Sequence, residues 1–500
     1  METGFLDSAL LDGAKNRPDA DAVRNLGQVT SYAELNEAAN KIAATLLEMG
    51  VESGDRVVIF AAKSQYAIAA IYGVLRVGGI YVPIDPTAPN ERVRAQIKAA
   101  SPSCALADTR RKLRLVESRM MLPCIDISKN IPTRVNASWL KSRAQERAMD
   151  DGAYILMTSG STGTPKGILH THRSGMAYAT MAAKLCDLAV SDRVSHHTPL
   201  HFDMSIFDIF ACAQAGACVV VIPEMHTKMP ASLASLLEQE QITVWYSVPY
   251  ALIQLNERGA LGTCDLSKLR IVMFAGETMP PAAIKAFATH VPNAAFINAY
   301  GPTETNHCVS AKLSSNDLDG ISAIPIGLPD SGVEIRVAGR EPSMASGELL
   351  IASDQVMQGY WQNEKLSKQS FETLPDASGT MRKFYRTGDI VQIKSDGQIM
   401  LLGRADRQIK LRGYRIELDE IERSLANTKG VSEAAVVYEN GCITAFVTGA
   451  NVPDVSEITD HISQYLPAYA QPERIIPLDH FARTSTGKID RKALIGSAHD

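Results

Sequence analysis

Hydrophobic residues recur along this chain with two periods, and the first half alternates between them. Tyr32, Leu35, Ala39, Ile42 and Leu46 fall at helical spacing and predict one apolar helix face. Ahead of them Ser31-Tyr32-Ala33-Glu34 reads as a capping box, the Ser hydroxyl and the Glu carboxylate each satisfying an orphan backbone donor. Gly50 and Gly54 end that helix, and 56–60 reads as a short buried strand. A second helix over 67–77 is broken by Gly78-Gly79 and followed by strand and turn over 80–86. Further strand–helix pairs fall at 219–222 with 231–239, 243–246 with 250–257, and 270–274 with 281–290. Such alternation predicts parallel sheets covered on both faces. From about Gly327 short strand signals dominate, at 334–337, 348–351, 390–394 and 398–402, with a turn at Asp396-Gly397. A last stretch from Gly403-Arg404-Ala405-Asp406 carries a helix (418–425), two strands (434–438 and 442–447) and another helix (456–465). The expected fold class is α/β. A large N-terminal part, 1–405, holds two α/β subdomains with mostly parallel sheets and a small β-rich subdomain at about 327–405. A small α+β C-terminal domain, 406–500, is short enough to act as a mobile lid.

Composition narrows the function classes. Of the 500 residues 45% are hydrophobic and 21% charged, an ordinary globular balance. Lys+Arg 50 against Asp+Glu 55 leaves a net charge of −5, with no basic surplus for a nucleic-acid backbone. No Arg/Lys cluster announces itself. The 8 cysteines are scattered without a CxxC pair and read as reduced thiols of a cytoplasmic protein. The N-terminus lacks the basic and apolar regions of a signal peptide, and no apolar run approaches the roughly 18 residues of a membrane helix. Neither a nucleic acid nor a membrane is expected as partner.

One stretch carries chemistry. Tyr154-Ile155-Leu156-Met157 reads as a strand, and Thr158-Ser159-Gly160-Ser161-Thr162-Gly163-Thr164-Pro165-Lys166-Gly167 follows it. Packing does not need such a run. Phosphate binding does, because glycines let backbone N–H groups approach oxygens, hydroxyls add donors and a lysine adds charge. A flexible linker is the alternative. The run is not a Walker A loop, since Gly-Lys followed by Ser or Thr is absent.

This loop resembles the signature of the adenylate-forming superfamily, which includes acyl-CoA synthetases, luciferases and the adenylation domains of nonribosomal peptide synthetases. Further segments match in the family's order. Asn298-Ala299-Tyr300-Gly301-Pro302-Thr303-Glu304-Thr305 resembles the adenine and magnesium motif, and Tyr385-Arg386-Thr387-Gly388-Asp389 the ribose motif. The stretch from Gly403 to Glu417 resembles the hinge motif, and Thr486-Gly487-Lys488-Ile489-Asp490-Arg491 the C-terminal lysine motif. The resemblance implies ATP and Mg²⁺ as cofactors and attack of a carboxylate on the α-phosphate, giving an acyl adenylate and pyrophosphate. Two anions must meet, so positive charge and preorganised donors are required.

The roles implied by the resemblance fall on residues of this chain. Lys488 supplies transition-state charge, against the bland reading of an exposed lysine. Glu304 helps hold Mg²⁺, a hard ion that takes oxygen ligands. Thr158 and Thr303 hydrogen-bond phosphates, within a nucleotide loop that also offers Ser159, Gly160, Ser161 and Thr162. Lys166 steadies that loop and the leaving pyrophosphate. Tyr300 stacks on adenine, with core packing as its alternative. Asn298, Gly276, Ala299 and Gly301 belong to the same nucleotide site. Asp389 accepts the ribose hydroxyls, and Arg404 serves there or at phosphate. Asp406 matches the hinge, whose φ/ψ change swings the lid between a pose that delivers Lys488 and one that presents Gly413-Tyr414-Arg415 beside a thiol tunnel.

The segment His201-Phe202-Asp203-Met204-Ser205-Ile206-Phe207-Asp208 resembles one wall of the acyl pocket. Amino-acid-activating members carry an aspartate where Asp203 stands, to pair with the substrate ammonium. The alternative is that Asp203 caps the following helix, and Asp208 reads as structural. The other walls are Met204, Phe207, Tyr246, Met273, Ala275, Ala299, His307 and Cys308. The bulk of Phe207, Tyr246 and Met273 makes a short, largely apolar pocket for a small or compact neutral amino acid, with proline or alanine as the guess and a β-amino acid as an alternative. Neutral His307 could hydrogen-bond a polar group. The run His196-His197-Thr198-Pro199-Leu200-His201 lacks further zinc ligands and reads as structural or as pocket rim. The chain stops at Asp500 with no carrier segment, so the expected acceptor is the phosphopantetheine thiol of a separate carrier protein. The alternatives are CoA as acceptor, or an inactive AMP-binding scaffold.

Overall fold

The computed structural model describes residues 4–129, 131, 142, 146–158, 160, 165–338, 346–376, 378–484 and 488–497. The capping box forms as expected: Ser31 Oγ accepts from Glu34 N–H at 3.2 Å and Glu34 Oε2 from Ser31 N–H at 2.8 Å, starting the helix Tyr32–Glu48. Its partner Gln65–Arg76 crosses it so closely that a Cβ on Gly73 would lie 2.7 Å from Ile42 Cγ2, so only glycine fits.

Two large sheets follow from the alternating strands and helices. One is seven-stranded, in the order Gly359–Tyr360, Lys166–Thr171, Gly152–Thr158, Ile80–Pro83, Arg56–Phe60, Cys104–Ala107, Cys124–Asp126. From Gly152–Thr158 to Cys124–Asp126 its neighbours run parallel. The other is nine-stranded: Leu328–Pro329, Val309–Leu313, Ala295–Tyr300, Ile271–Ala275, Val244–Ser247, Arg193–His196, Cys218–Val221, Asp21–Asn25, Gln28–Ser31. It is parallel from Ala295–Tyr300 through Asp21–Asn25 and antiparallel at both ends.

The period of two along each strand divides these residues between two cores. Val219, Val221, Val244, Met273 and Ile297 face Val57, Ile59, Tyr81 and Leu156 of the other sheet in one cluster. Their neighbours Val220, Trp245, Val272, Phe274 and Phe296 face Leu233, Leu252 and Ile284 of the covering helices Pro230–Gln239, Pro249–Arg258 and Pro281–Ala288. A five-stranded sheet of Glu334–Val337, Ser346–Ala352, Met381–Ile393, Phe371–Pro375 and Ile399–Arg404 forms the β-rich region.

The chain clusters into two compact units. The second comprises Asp406–Asp500 with Thr87–Ala99 and Thr158–Lys166, so those two shorter segments do not group with the rest of 1–405. Its strands Glu433–Glu439, Cys442–Thr448 and Arg474–Pro477 and the helices Leu418–Ala426 and Val455–Ser463 bury Ile421, Val436, Ile443 and Ile458 together. Two further points bear on function. The helix Thr109–Glu117 carries Arg110, Arg111, Lys112 and Arg114, of which Arg111 pairs with Asp108. Among the described residues no helix is long and apolar enough to cross a membrane, and every cysteine is a free thiol.

Candidate active site

The strand Ala295–Tyr300 ends at Gly301, and the chain turns back into Val309–Leu313. Cys308 N–H donates to the Tyr300 carbonyl at 2.9 Å and Thr305 N–H to that of Pro302 at 2.9 Å, closing the turn. A Cβ on Gly301 would lie 1.8 Å from the Asn306 carbonyl oxygen, so the motif's glycine is required by backbone approach. At the head of this turn Tyr300, 5% exposed, donates its hydroxyl to Asp389 Oδ2 at 2.5 Å. Asp389 lies on Met381–Ile393 and takes Arg404 Nη1 on its other oxygen at 2.6 Å, while its own N–H donates to Thr387 Oγ1 at 3.0 Å. Burial, then the charge of Asp389, pushes the Tyr300 hydroxyl well above its ordinary range. Two separate motifs thus meet in one network. Each carboxylate oxygen has two lone pairs, so Asp389 retains acceptor capacity beyond these two donors. Asn298 is tied by its side-chain amide to the Pro325 carbonyl at 2.7 Å, and Gly276, with φ 99°, turns the chain out of Ile271–Ala275.

The next residues of the turn are held from below. The Thr303 carbonyl accepts from His170 Nε2 at 2.9 Å, which assigns the proton to that nitrogen. The His170 ring stacks on Tyr154 with centroids 4.8 Å apart. Burial lowers His170 to about 4, so it is neutral at pH 7. Glu304 is fully buried, and its Oε1 accepts from the Tyr360 hydroxyl at 2.8 Å. Among the described residues no group of three or more His, Cys, Asp and Glu is arranged to hold a metal ion. Magnesium is commonly held by one or two carboxylates with substrate phosphates and water, so it does not need such a group.

The acyl-pocket residues divide. Met204, Phe207, Tyr246, Met273, Ala275 and Ala299 lie in one buried cluster, with Tyr178 among them. The rings of Phe207 and Tyr246 meet edge to face at 5.3 Å. Asp203 stands at the start of the turn Met204–Ile206 and makes no side-chain cap bond there, which corrects the capping alternative. Its charge instead acts on the buried hydroxyls of Tyr246, Tyr178 and Tyr154, each raised chiefly by burial. Cys308 belongs to a different cluster, with Tyr300, Val309 and Ile326, and burial pushes its thiol up to about 12. His307 lies with Nε2 3.0 Å from Asp330 Oδ2, off the line of a hydrogen bond, and its ring meets Tyr178 edge to face at 5.9 Å. Neither ring nitrogen of His307 has a hydrogen-bond partner among the described residues, so both remain open to a polar group. Asp208 is fully buried and accepts from His196 Nδ1 at 2.9 Å.

Thr158 ends one strand and Lys166 begins its neighbour, with Gly160 in the loop between them; Ser159, Ser161 and Thr162 lie outside the described residues. Lys488 of the second unit is exposed, and its carbonyl accepts from Thr484 N–H at 2.8 Å beside a short bridge of Arg483 with Ile489. Asp406 opens that unit, its Oδ1 accepting from Gln408 N–H at 3.2 Å. The hairpin Gln408–Leu411 with Tyr414–Glu417 turns at Arg412 and Gly413, with φ 54° and 84°.

Residues 10–361 match the AMP-binding enzyme family, and 420–488 match the AMP-binding enzyme C-terminal domain. The chain belongs to the AMP-binding enzyme family. Among its relatives, an L-proline--[L-prolyl-carrier protein] ligase of Streptomyces coelicolor is 32% identical over 494 residues, covering 93% of this chain and 91% of the relative. A protein of the same description from Pseudomonas fluorescens is 31% identical, with 98% of each chain covered. Among solved structures, the Vibrio cholerae adenylation domain AlmE in complex with glycyl-adenosine-5'-phosphate superposes with TM-score 0.83 at 25% identity, over 99% of this chain and 97% of that one.

Sequence reading of this AMP-binding enzyme missed Tyr360, Tyr178 and His170. Tyr360 reaches Glu304 across 56 positions and His170 reaches Thr303 across 133. His170 follows directly on the signature loop, a position that could have drawn notice. Tyr178 sits on a helix, His172–Leu185, whose apolar spacing reads as ordinary core.

Proposed function

We propose that this protein activates a small or compact neutral amino acid with ATP as aminoacyl-AMP and transfers it to the phosphopantetheine thiol of a separate carrier protein. The observation that carries the proposal is Asp203 at the start of Met204–Ile206, its charge acting on the buried Tyr246, whose ring meets Phe207 edge to face at 5.3 Å. The half-buried Asp203 carboxylate is suited to pair with an ammonium, and the bulk of Phe207 and Tyr246 favours a compact side chain. Proline is favoured over alanine by the likeness to the two prolyl-carrier ligases.

In the first step a carboxylate oxygen of the amino acid bonds to the α-phosphorus and the α–β bridging bond breaks, releasing pyrophosphate. Asp389 orients the ribose through its spare lone pairs, with Tyr300 and Arg404 fixing its carboxylate. Thr158, Thr303 and the loop around Gly160 donate to phosphate oxygens, and Lys166 meets the pyrophosphate. Glu304 would hold Mg²⁺, which when bound offsets phosphate charge. Lys488 supplies a cation to the oxygens joining carboxylate and phosphate, brought there by a mobile domain of 406–500 hinged at Asp406 on a core of 1–405. In the second step the thiol sulfur attacks the acyl carbon, and AMP leaves as the thiol proton is lost.

A cytoplasmic location would keep its free thiols reduced, which suits the scattered cysteines. Acid-dependent ATP–pyrophosphate exchange over amino, fatty and aryl acids tests the first step; exchange with fatty or aryl acids and with no amino acid overturns it. Thioester formation on a phosphopantetheinylated carrier against CoA decides the acceptor.

A further inference from the structure

We infer that Lys63 is a positioning residue for the segment that carries Asp203, acting through the backbone of His196 and His197. The inference rests on the amino-acid-activating reading and names the part that holds its ammonium-binding carboxylate in place.

Lys63 follows the strand Arg56–Phe60 of the seven-stranded sheet. Its ammonium crosses to the nine-stranded sheet at the end of Arg193–His196, donating to the His196 carbonyl at 2.9 Å and also to the His197 carbonyl. One side chain thereby ties the ends of two sheets where the pocket segment leaves its strand. From there to Asp203 the path is six residues, and hydrogen bonds brace it from Pro199 onward. Phe202 N–H donates to the Pro199 carbonyl at 3.0 Å, and Ser205 Oγ donates to the carbonyls of Leu200 at 3.0 Å and Phe202 at 2.7 Å. Ile206 N–H donates to the Asp203 carbonyl at 3.0 Å. These bonds hold the backbone of Pro199, Leu200, Phe202 and Asp203, so the chain fixed at His197 by Lys63 runs into a braced segment before it reaches Asp203.

The surroundings argue against a purely stabilising lysine. Lys63 faces His196 at the end of the strand, His197 just after it, Asp208 of the helical segment Phe207–Ala211 and Glu224 of the helix Glu224–Thr227. His196 and His197 are buried and neutral, each lowered chiefly by burial. Burial lowers Lys63 itself to about 7 despite the carboxylates, so the site opposes the charge. In either protonation state the amine keeps hydrogens for both carbonyls. A polar head retained where desolvation opposes it is accounted for by the geometry it imposes.

The test uses the full-length enzyme with the amino acid that gives the strongest exchange. KM for amino acid and for ATP are measured in ATP–pyrophosphate exchange for wild type, Lys63→Met and Lys63→Arg, with thermal melts of each. Lys63→Met is expected to raise the amino acid KM at least tenfold while the ATP KM stays within twofold and the melting temperature within a few degrees. Lys63→Arg, which restores donors, is expected to recover most of the loss. An unchanged amino acid KM in Lys63→Met, or parallel losses in both KM values and in melting temperature, overturns the inference. Wild-type protein that exchanges with no amino acid fails the functional reading instead, so the two failures are distinguishable.

Discussion

Removing one oxygen from Tyr300 separates the structural from the nucleotide-binding work of the Asp389 network. In Tyr300→Phe the ring stays in its buried place among Val309, Ile326 and Leu349, while the 2.5 Å bond to Asp389 Oδ2 disappears. Asp389 is 3% exposed, so bulk water cannot freely replace the lost donor. A hydrogen bond to a charged group contributes about 1.5–3 kcal/mol, and the scaling of unfolding entropy with chain length turns that into a fall of about 2–4 °C in the melting temperature of a unit this large. The ion pair of Arg404 with Asp389 remains, so the carboxylate stays oriented. ATP binding should therefore change less than stability. Asp389→Asn should damage both, because it leaves the Arg404 guanidinium without its charge partner, and breaking a buried pair costs about 3–5 kcal/mol. Differential scanning calorimetry with titration of ATP measures the two quantities on the same samples. A Tyr300→Phe protein that melts with wild type would refute the view that this bond stabilises the fold. One that keeps its melting temperature and loses ATP binding tenfold or more would place the hydroxyl on the nucleotide instead.

Three further outcomes are expected. Asp203→Asn should lower amino-acid-dependent kcat/KM by roughly 10- to 150-fold, the equivalent of one charge-assisted bond of about 1.5–3 kcal/mol, with the ATP KM nearly constant; an equal loss for ATP would contradict the ammonium role. His170 is lowered to about 4 in the fold, against an ordinary value near 6.5, so the unfolded chain binds more protons between those values. Stability carried by neutral His170 is present above about pH 6.5 and is lost as pH falls toward 4, by about 2 kcal/mol at pH 5, and His170→Gln should flatten that part of the acid denaturation curve. A Cβ at Gly301 would sit 1.8 Å from the Asn306 oxygen, so Gly301→Ala should yield little soluble protein, or a protein that melts far below wild type with its exchange activity lost; wild-type melting would show that the turn relaxes freely.

The periodic parts of the fold and the motif residues were readable from the chain. The capping box at Ser31 and the parallel strands 56–60, 219–222 and 243–246 declared themselves by local pattern, whereas the segments around Tyr300, Asp389 and Lys488 stood out by resemblance to a family. Missing from the pattern was anything carried by contacts distant in sequence. The strand Met381–Ile393 extends well before the expected 390–394 because Phe371–Pro375 and Ser346–Ala352 pair along it, not because its own residues alternate cleanly. Cys308 was placed on the pocket wall by its motif, yet the turn that returns it to the Tyr300 carbonyl buries it in another cluster. Asp203 suited a cap by residue type, but its backbone is already helical there, so its carboxylate does not take the capping position. The tie from Lys63 to His197 spans 134 positions and leaves no local signature.

The account depends most on Lys488 as the cation that brings two anions together, and single-turnover AMP formation tests it directly. Enzyme in excess over ATP is mixed with the preferred amino acid, without acceptor, and enzyme-bound aminoacyl-AMP is followed by quench. Wild type should form it rapidly, and Lys488→Ala should form it at least 100-fold more slowly, with ATP and amino acid affinities within a few-fold of wild type. Equal rates in the two proteins would contradict the account.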